Sequence, residues 1–496
     1  MYRIRVVKTS SNASAVQVIR YNNRKRIVFK HIGSAHNEED LKGLKEIAKK
    51  VVEEASRQIA LFESQKPVNV ICLEKSDFLG VYYTFLYDAL RSVCNQIGFD
   101  SISNKMLLDL VVIRMVEPAS KLRSIELLEE YFGIKHRRQN YYKSTLKWIA
   151  LKSGIEAMAT TFAQQEYAFD YDLLFYDVTT LYFETFEEDD LRKQGFSKDN
   201  KSQQPQILVG LMVTKQGFPV SYEVFTGNTF EGHTILPVVE SFIRKHQVHR
   251  LTIVADAAMI SSDNIKALKQ SSIHYIVGAR LGNLSANVIN KIDMTLCRQD
   301  GNVIRIQTDN GYLICSFSNQ RYRKDNYEMQ KQIEKAKQAI AQPSKSKKLK
   351  FTKSNNQKLD LNEPLIEKTQ KLLGIKGYYT DLEESEVSDQ IIIDRYHELY
   401  KIEQAFRISK HDLKTRPIYH YKEAPIQLHM LICFMALAGS KHIELKTSRS
   451  IKYFLAKCKE IQDARMFNKI TNEEVTIRKS YTSEVNEFIQ KLNLPH

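Results

Sequence analysis

The sequence predicts an α/β protein: a mixed sheet flanked by helices, interrupted by an inserted, largely β subdomain and preceded by a β-plus-helical region. Three observations carry this. Helical periodicity gives way at Leu173 to a series of short apolar runs, and those runs fall in the order β-β-β-α-β. The chain has 496 residues, more than the roughly 250–300 at which a single core stops growing, so several units are required.

Residues 1–35 alternate in YRIRVV, AVQVIRY and RIVFKHIG, with Asn22-Asn23 where a hairpin turn falls. From Glu38 to Ser64 the charged, Ala-rich pattern is helical, and residues 81–165 continue as helices with few breakers. Among these, EPASKLRSIELLEEYFG predicts a helix with Pro118 in its first turn, ended by Gly133. KHRRQNYYKSTLKWIA follows as a second helix that interleaves Arg137, Arg138 and Lys143 with Tyr141, Tyr142 and Trp148.

From Leu173, LLFYDVTTLYF, QILVGLMVT and PVSYEVFTG predict three antiparallel strands. HTILPVVESFIRKH is a helix, LTIVADAAM a short buried strand, Ser262 to Gln270 a helix and HYIVGAR a strand. Residues 287–376 hold two strand-like runs (NVIRIQT and YLICSFS) and an amphipathic helix near 323–342. Their tract PSKSKKLKFTKSNNQK is too polar to pack, which predicts a solvated loop. At Ile391 a long helix begins, IIIDRYHELYKIEQAFRISKHDL, ending before the turn signal Arg416-Pro417. A second apolar helix near 424–440 would cover the sheet, and a mixed-charge helical tail completes the chain. The expected divisions are 1–100, 101–168, 169–286, 287–376, 377–445 and 446–496.

Lys and Arg number 73 against 58 Asp and Glu, giving +15 at pH 7. That balance favours a polyanionic partner, although an ordinary basic surface shows it too. The six cysteines form no CxxC pair and no zinc-ligand spacing, which fits a reducing compartment. The N-terminus lacks a long apolar run. Leu428 to Ala438, the longest apolar stretch, is interrupted by His429 and far short of the roughly 20 residues a membrane span needs. The expectation is a cytoplasmic protein with no membrane partner.

Asp177 lies within a strongly apolar strand between Tyr176 and Val178, and Asp256 ends the run LTIVAD. A charge in such surroundings costs on the order of several kcal/mol unless it is paired or bound to a metal. Each Asp alone could simply cap the turn that follows it. Together, on two buried strands separated by a β-β-α unit, they predict neighbouring positions that hold a hard cation through oxygen. Glu403 adds a third carboxylate. At 100° per residue, Leu399, Ile402, Phe406 and Leu413 form an apolar stripe, and Tyr396, Glu403, Arg407, Lys410 and Lys414 fall in a narrow arc beside it. Glu403 to Arg407 is also an ordinary i,i+4 pair, but cations beside three acidic groups suit a phosphate backbone laid across them.

At these residues the sequence resembles the DDE transposases of bacterial insertion sequences, in the branch whose third acidic residue lies in Y-x2-R-x3-E-x6-K. Tyr396, Glu403 and Lys410 match three signature positions at the family's spacing; the fourth, Arg in the family, is Leu399, and Arg407 stands one turn beyond Glu403. YDVTT, VADAAM, PVSYEVFTGNTFEGHT and RPIYHY are similar to family stretches, and the resemblance covers roughly residues 170–445.

The resemblance implies an RNase H-like fold and a DNA transposase that binds terminal inverted repeats, cleaves the DNA ends and joins them to target DNA. It implies two Mg²⁺ ions per site, replaceable by Mn²⁺, with Asp177 shared and Asp256 and Glu403 each completing one ion. Tyr396, Arg407, Lys410 and Lys414 would then meet DNA. Double-stranded DNA, as element ends and target, is the partner, and pairing of two ends implies a homodimer on DNA. End recognition is expected in 101–168, where Arg137, Arg138 and Lys143 would belong to a helix-turn-helix; a basic amphipathic helix burying Trp148 would look the same. The competing readings are a nuclease that cuts without joining and a catalytically inactive repressor.

Overall fold

The N-terminal alternation folds as three antiparallel strands, β1 (Tyr2–Lys8), β2 (Ser14–Asn22) and β3 (Lys25–Ala35). Its apolar positions Val16, Val18, Ile32 and Ala35 pack on Leu44 and Ala48 of α1 (Glu38–Ser56). The computed structural model describes residues 2–10, 12–22, 25–56, 75–101, 104–196, 203–259, 261–341, 349–355, 358–469 and 473–495. Asn23 of the expected hairpin turn and the last part of the expected helix to Ser64 lie outside the described residues. These residues fall into two units: Met1–Ala89 with Glu126–Lys135 and Tyr453–His496, and Leu90–Ile125 with His136–Lys452.

After β4 (Ser76–Tyr82) come five helices: α2 (Thr84–Gln96), α3 (Lys105–Val116), α4 (Lys121–Phe132), α5 (Arg138–Ile149) and α6 (Lys152–Tyr167). Asn104 caps α3 by accepting from Leu107 N at 2.9 Å. The α4 helix begins at Lys121, later than the sequence suggested, because the Ser120 hydroxyl accepts from Arg123 N at 3.3 Å and leaves Pro118 outside the helix. In α5, Tyr141, Thr145 and Trp148 are buried against α14 (Glu423–Thr447), while Arg137, Arg138 and Lys143 are exposed.

The second unit is built on an eight-stranded mixed sheet. It contains β5 (Leu173–Tyr182), β6 (Gln206–Thr214), β7 (Pro219–Thr226), β8 (Thr252–Ala255), β9 (His274–Ala279), β10 (Val303–Thr308), β11 (Gly311–Phe317) and β14 (Ile375–Thr380). The spatial order is β10-β11-β14-β9-β8-β5-β6-β7. β5, β6 and β7 are antiparallel, β5, β8 and β9 run parallel, and β14 returns antiparallel to β9. The helices α7 (Ile235–His246) and α8 (Ser262–Gln270) follow β7 and β8. Every residue of β6 is buried, as a strand covered on both faces requires.

The inserted region differs from the expectation of a separate, largely β subdomain. β10 and β11 extend the main sheet, because β11 pairs with β14 in register from Tyr312↔Thr380 to Phe317↔Ile375. The rest is mostly helical: α9 (Ala286–Thr295), α10 (Asn319–Ala341) and α11 (Glu363–Lys371), with a small hairpin of β12 (Thr352–Asn355) and β13 (Lys358–Leu361). A local core of Met329, Ile333, Ala336, Phe351, Ile366 and Leu373 holds it. The polar tract is therefore not wholly a solvated loop: its single aromatic, Phe351, is fully buried. Residues 343–348 and 356–357 of it lie outside the described residues.

Two further expectations change toward the C-terminus. The predicted long helix is divided into α12 (Asp389–His397) and α13 (Tyr400–Arg407), followed by a π-helical turn over Ile408–Asp412. The apolar helix α14 is 25 residues long, enough to cross a bilayer by length and composition, but 94% of its apolar window is buried within the protein. It is a core helix, packed on β7, α3 and α6. The tail is not purely helical: α15 (Ile451–Lys459) leads into β15 (Asp463–Asn468) and β16 (Glu473–Arg478), then α16 (Ser483–Leu492). β15 pairs with both β16 and β4, which gives the strands of the first unit a second sheet.

Candidate active site

Strand register puts the first two carboxylates side by side. β5 and β8 are parallel neighbours paired as far as Tyr176↔Ala255, so Asp177 and Asp256 are the next residue on each chain, at the carboxyl end of β8. That edge is where parallel sheets place ligands. Phe175, Tyr176 and Val178 are fully buried and anchor β5, leaving Asp177 half-buried and Asp256 exposed. Asp177 Oδ1 accepts from Val178 N at 2.7 Å. Asp256 Oδ1 accepts from Ala257 N at 2.7 Å and from the Tyr396 hydroxyl at 3.3 Å.

The third wall comes from α12 and α13. At their junction Leu399 N donates to Tyr396 O at 3.1 Å and Ile402 N to Leu399 O at 3.1 Å. These i to i+3 bonds tighten the turn, so the helix does not keep 100° per residue there. Tyr396, Leu399, Tyr400 and Glu403, spaced i, i+3, i+4 and i+7, still share one face, and with Asp177, Asp256, Lys376 and His397 they line a cleft of about 290 Å³. Tyr396, from the arc beside the stripe, is buried in that wall, with Leu399, Ile402, Phe406 and Leu413 buried as the stripe predicted. Beyond it, Leu413 N bonds Ile408 O at 2.9 Å in the π turn, which adds a residue to the turn and breaks the spacing from Glu403 to Lys410 and Lys414. Arg407 is exposed, Lys410 half-buried, and Lys414 lies past the helix with φ +43.

Tyr396 is held closely. Its ring meets Tyr378 edge-on, with centroids 5.0 Å apart, and the Lys376 ammonium sits 4.7 Å from its ring centroid. Gly278 on β9 makes room for the phenol: a Cβ there would lie 2.4 Å from the Tyr396 hydroxyl oxygen. Burial first, then the Asp256 carboxylate, pushes the Tyr396 phenol well above its usual range, so it stays a neutral donor.

Lys376 and His397 were missed from the sequence. β14 runs antiparallel to β9, with Gly377 opposite Ala279, and this turns its second residue, Lys376, toward the edge where β8 ends. The only signal was a Lys in the apolar strand IKGYYT. Burial and then the Arg321 guanidinium lower the Lys376 ammonium, while Asp256 and Glu403 pull it back up. Burial, then Lys376, lowers His397, whose Nε2 lies 3.1 Å from the Tyr378 hydroxyl.

The cleft thus joins three carboxylates, one ammonium and a neutral phenol at the end of a mixed sheet. The sequence profile of the transposase DDE domain matches residues 168–438, which span the strands, the insertion and the helices that form it. The chain belongs to this family of transposases. No curated protein matches it. A solved structure with some similarity is the piggyBac transposase synaptic complex with hairpin DNA, determined by cryo-EM: 10% identity, TM-score 0.38, covering 75% of this chain and 76% of that one. Among the described residues of the transposase, no three His, Cys, Asp or Glu side chains converge as a ready-made site for one ion.

Proposed function

We propose that this transposase binds the terminal inverted repeats of a bacterial insertion sequence, cleaves the DNA ends and joins them to target DNA by phosphoryl transfer centred on Asp177, Asp256 and Glu403. The observation that carries the reading is the shared cleft: two carboxylates at adjacent parallel strand positions, faced by a third from α13.

The donor set is all carboxylate oxygen, which fits a hard divalent ion such as Mg²⁺. The three groups line one cleft, and such ions take their remaining ligands from water and DNA phosphate. Asp177 would be shared between two such ions, with Asp256 and Glu403 each completing one. When bound, the ions supply Lewis acidity at the phosphate and ease deprotonation of the attacking hydroxyl.

The chain's own residues do the rest. The Tyr396 hydroxyl holds Asp256 by donating to it, and Gly278 permits that approach. Arg407, one turn after Glu403, and Lys410 supply cations for phosphates next to the scissile one, with Lys414 further along the strand. Arg138 and Lys143 on α5 and Arg137 at its N-terminal cap, all exposed, support recognition of end DNA by that helix. The enzyme works in the cytoplasm, and as a homodimer once two ends are paired.

Asp177→Ala, Asp256→Ala and Glu403→Ala should each reduce Mg²⁺-dependent cleavage of end DNA to background, with end binding and thermal midpoint near wild type. Substantial cleavage by any one variant removes that residue from the site.

A further inference from the structure

We infer that Lys376 is a further phosphate-contacting residue of the cleft, reaching the DNA strand from β14, whereas Arg407 and Lys410 come from the helical segments. This rests on the reading that the cleft takes DNA. Three carboxylates line the space that a phosphodiester must enter, and they repel it. Lys376 is the cation among the cleft's lining residues, and it comes from β14, whereas the cations read from the sequence come from the helical side.

Its placement is fixed. The ammonium lies 4.7 Å from the centroid of Tyr396 and 5.5 Å from that of Tyr378, distances at which ring faces attract a cation. Among the described residues, its ammonium forms no ion pair with Asp256 or Glu403 within 4.0 Å, so its donors are not committed to those carboxylates. A lysine held by apolar ring faces, beside acids yet unbonded to them, presents a point charge to a phosphate oxygen. Burial, Arg321, Asp256 and Glu403 all bear on this amine, so its role is set by the whole wall and not by one partner.

The alternatives are structural packing of the lysine stem on the tyrosines, or a stand-in cation that neutralises the carboxylates until a metal binds. Lys376→Met keeps the stem and removes the charge; Lys376→Arg keeps the charge. Binding of a duplex taken from the DNA flanking the coding region would be measured across a salt series without divalent ion, so this readout does not depend on catalysis. Loss of one phosphate contact makes the slope of log K against log salt shallower by about 0.9. The expected result for Lys376→Met is that change in slope together with single-turnover cleavage slowed about ten- to a hundredfold, the range for one lost charge-assisted contact. Lys376→Arg should restore the slope and most of the rate.

An unchanged slope for Lys376→Met overturns the inference, whatever the rate. An unchanged slope with tighter divalent-ion binding identifies the stand-in cation instead. Wild type and Asp177→Ala run in parallel: failure of wild type to cleave counts against the proposed function, whereas a cleaving wild type, an inactive Asp177→Ala and a fully active Lys376→Met with unchanged slope count against Lys376 alone.

Discussion

Gly278 and Tyr396 show how much of the site depends on a single missing methyl. A Cβ at position 278 would meet the Tyr396 hydroxyl oxygen at 2.4 Å, its Cζ at 3.1 Å and the Ala257 Cβ at 3.2 Å, so Gly278→Ala must displace the ring that bonds Asp256. Overpacking of this kind costs about 1–3 kcal/mol, and cleavage should fall with it. Tyr396→Phe removes the worst-placed atom. The double variant should therefore be more stable than Gly278→Ala alone while remaining slow, because Asp256 still lacks its donor; denaturation midpoints that add independently would contradict the coupling. At this scale the carboxylates were legible because an Asp inside FYDV or IVAD contradicts its apolar context. Lys376 was not, since the antiparallel return of β14 that aims it at the cleft is a property of the sheet and leaves no mark in IKGYYT.

Elements show a similar division. The strands from Leu173 to Ala279 and the helices between them were legible from periodicity, and α8 runs over Ser262–Gln270 as read. The break between α12 and α13 carries no Gly or Pro to announce it: it is a change of hydrogen-bond step, and tertiary packing of Tyr396 and Leu399 accompanies it. β10 and β11 were recognisable as strands, but which sheet they join depends on pairing with a strand more than fifty residues later, which local pattern does not encode. The C-terminal strands were hidden by their charge, and that charge is structural. Asp463, fully buried on β15, faces Arg478 on β16 and accepts from its Nε at 2.8 Å and its second terminal nitrogen at 3.0 Å. Arg478→Ala leaves a buried carboxylate without its partner and should destabilise the first unit by about 3–5 kcal/mol, read as an early thermal transition. A loss below about 1 kcal/mol, the range of exposed pairs, would show that solvent already screens this one.

For the whole molecule, the three carboxylates come from distant parts of the chain, and they meet only when β5, β8 and α13 are all in place on one sheet. The insertion between Asp256 and Glu403 does not interrupt that sheet; it lengthens it through β10, β11 and β14 and carries its own small core. The excess of basic residues, ambiguous by itself, is what a member of a transposase family, which acts on DNA, would carry. Whether these carboxylates carry strand joining is decided by presenting precleaved end DNA bearing a 3′-hydroxyl and a target duplex under single-turnover conditions in Mg²⁺, comparing wild type with Asp256→Ala. Joined product is expected from wild type, lost with chelator and absent from Asp256→Ala. Joining by Asp256→Ala at the wild-type rate, or cleavage without any joining by wild type, would contradict that role.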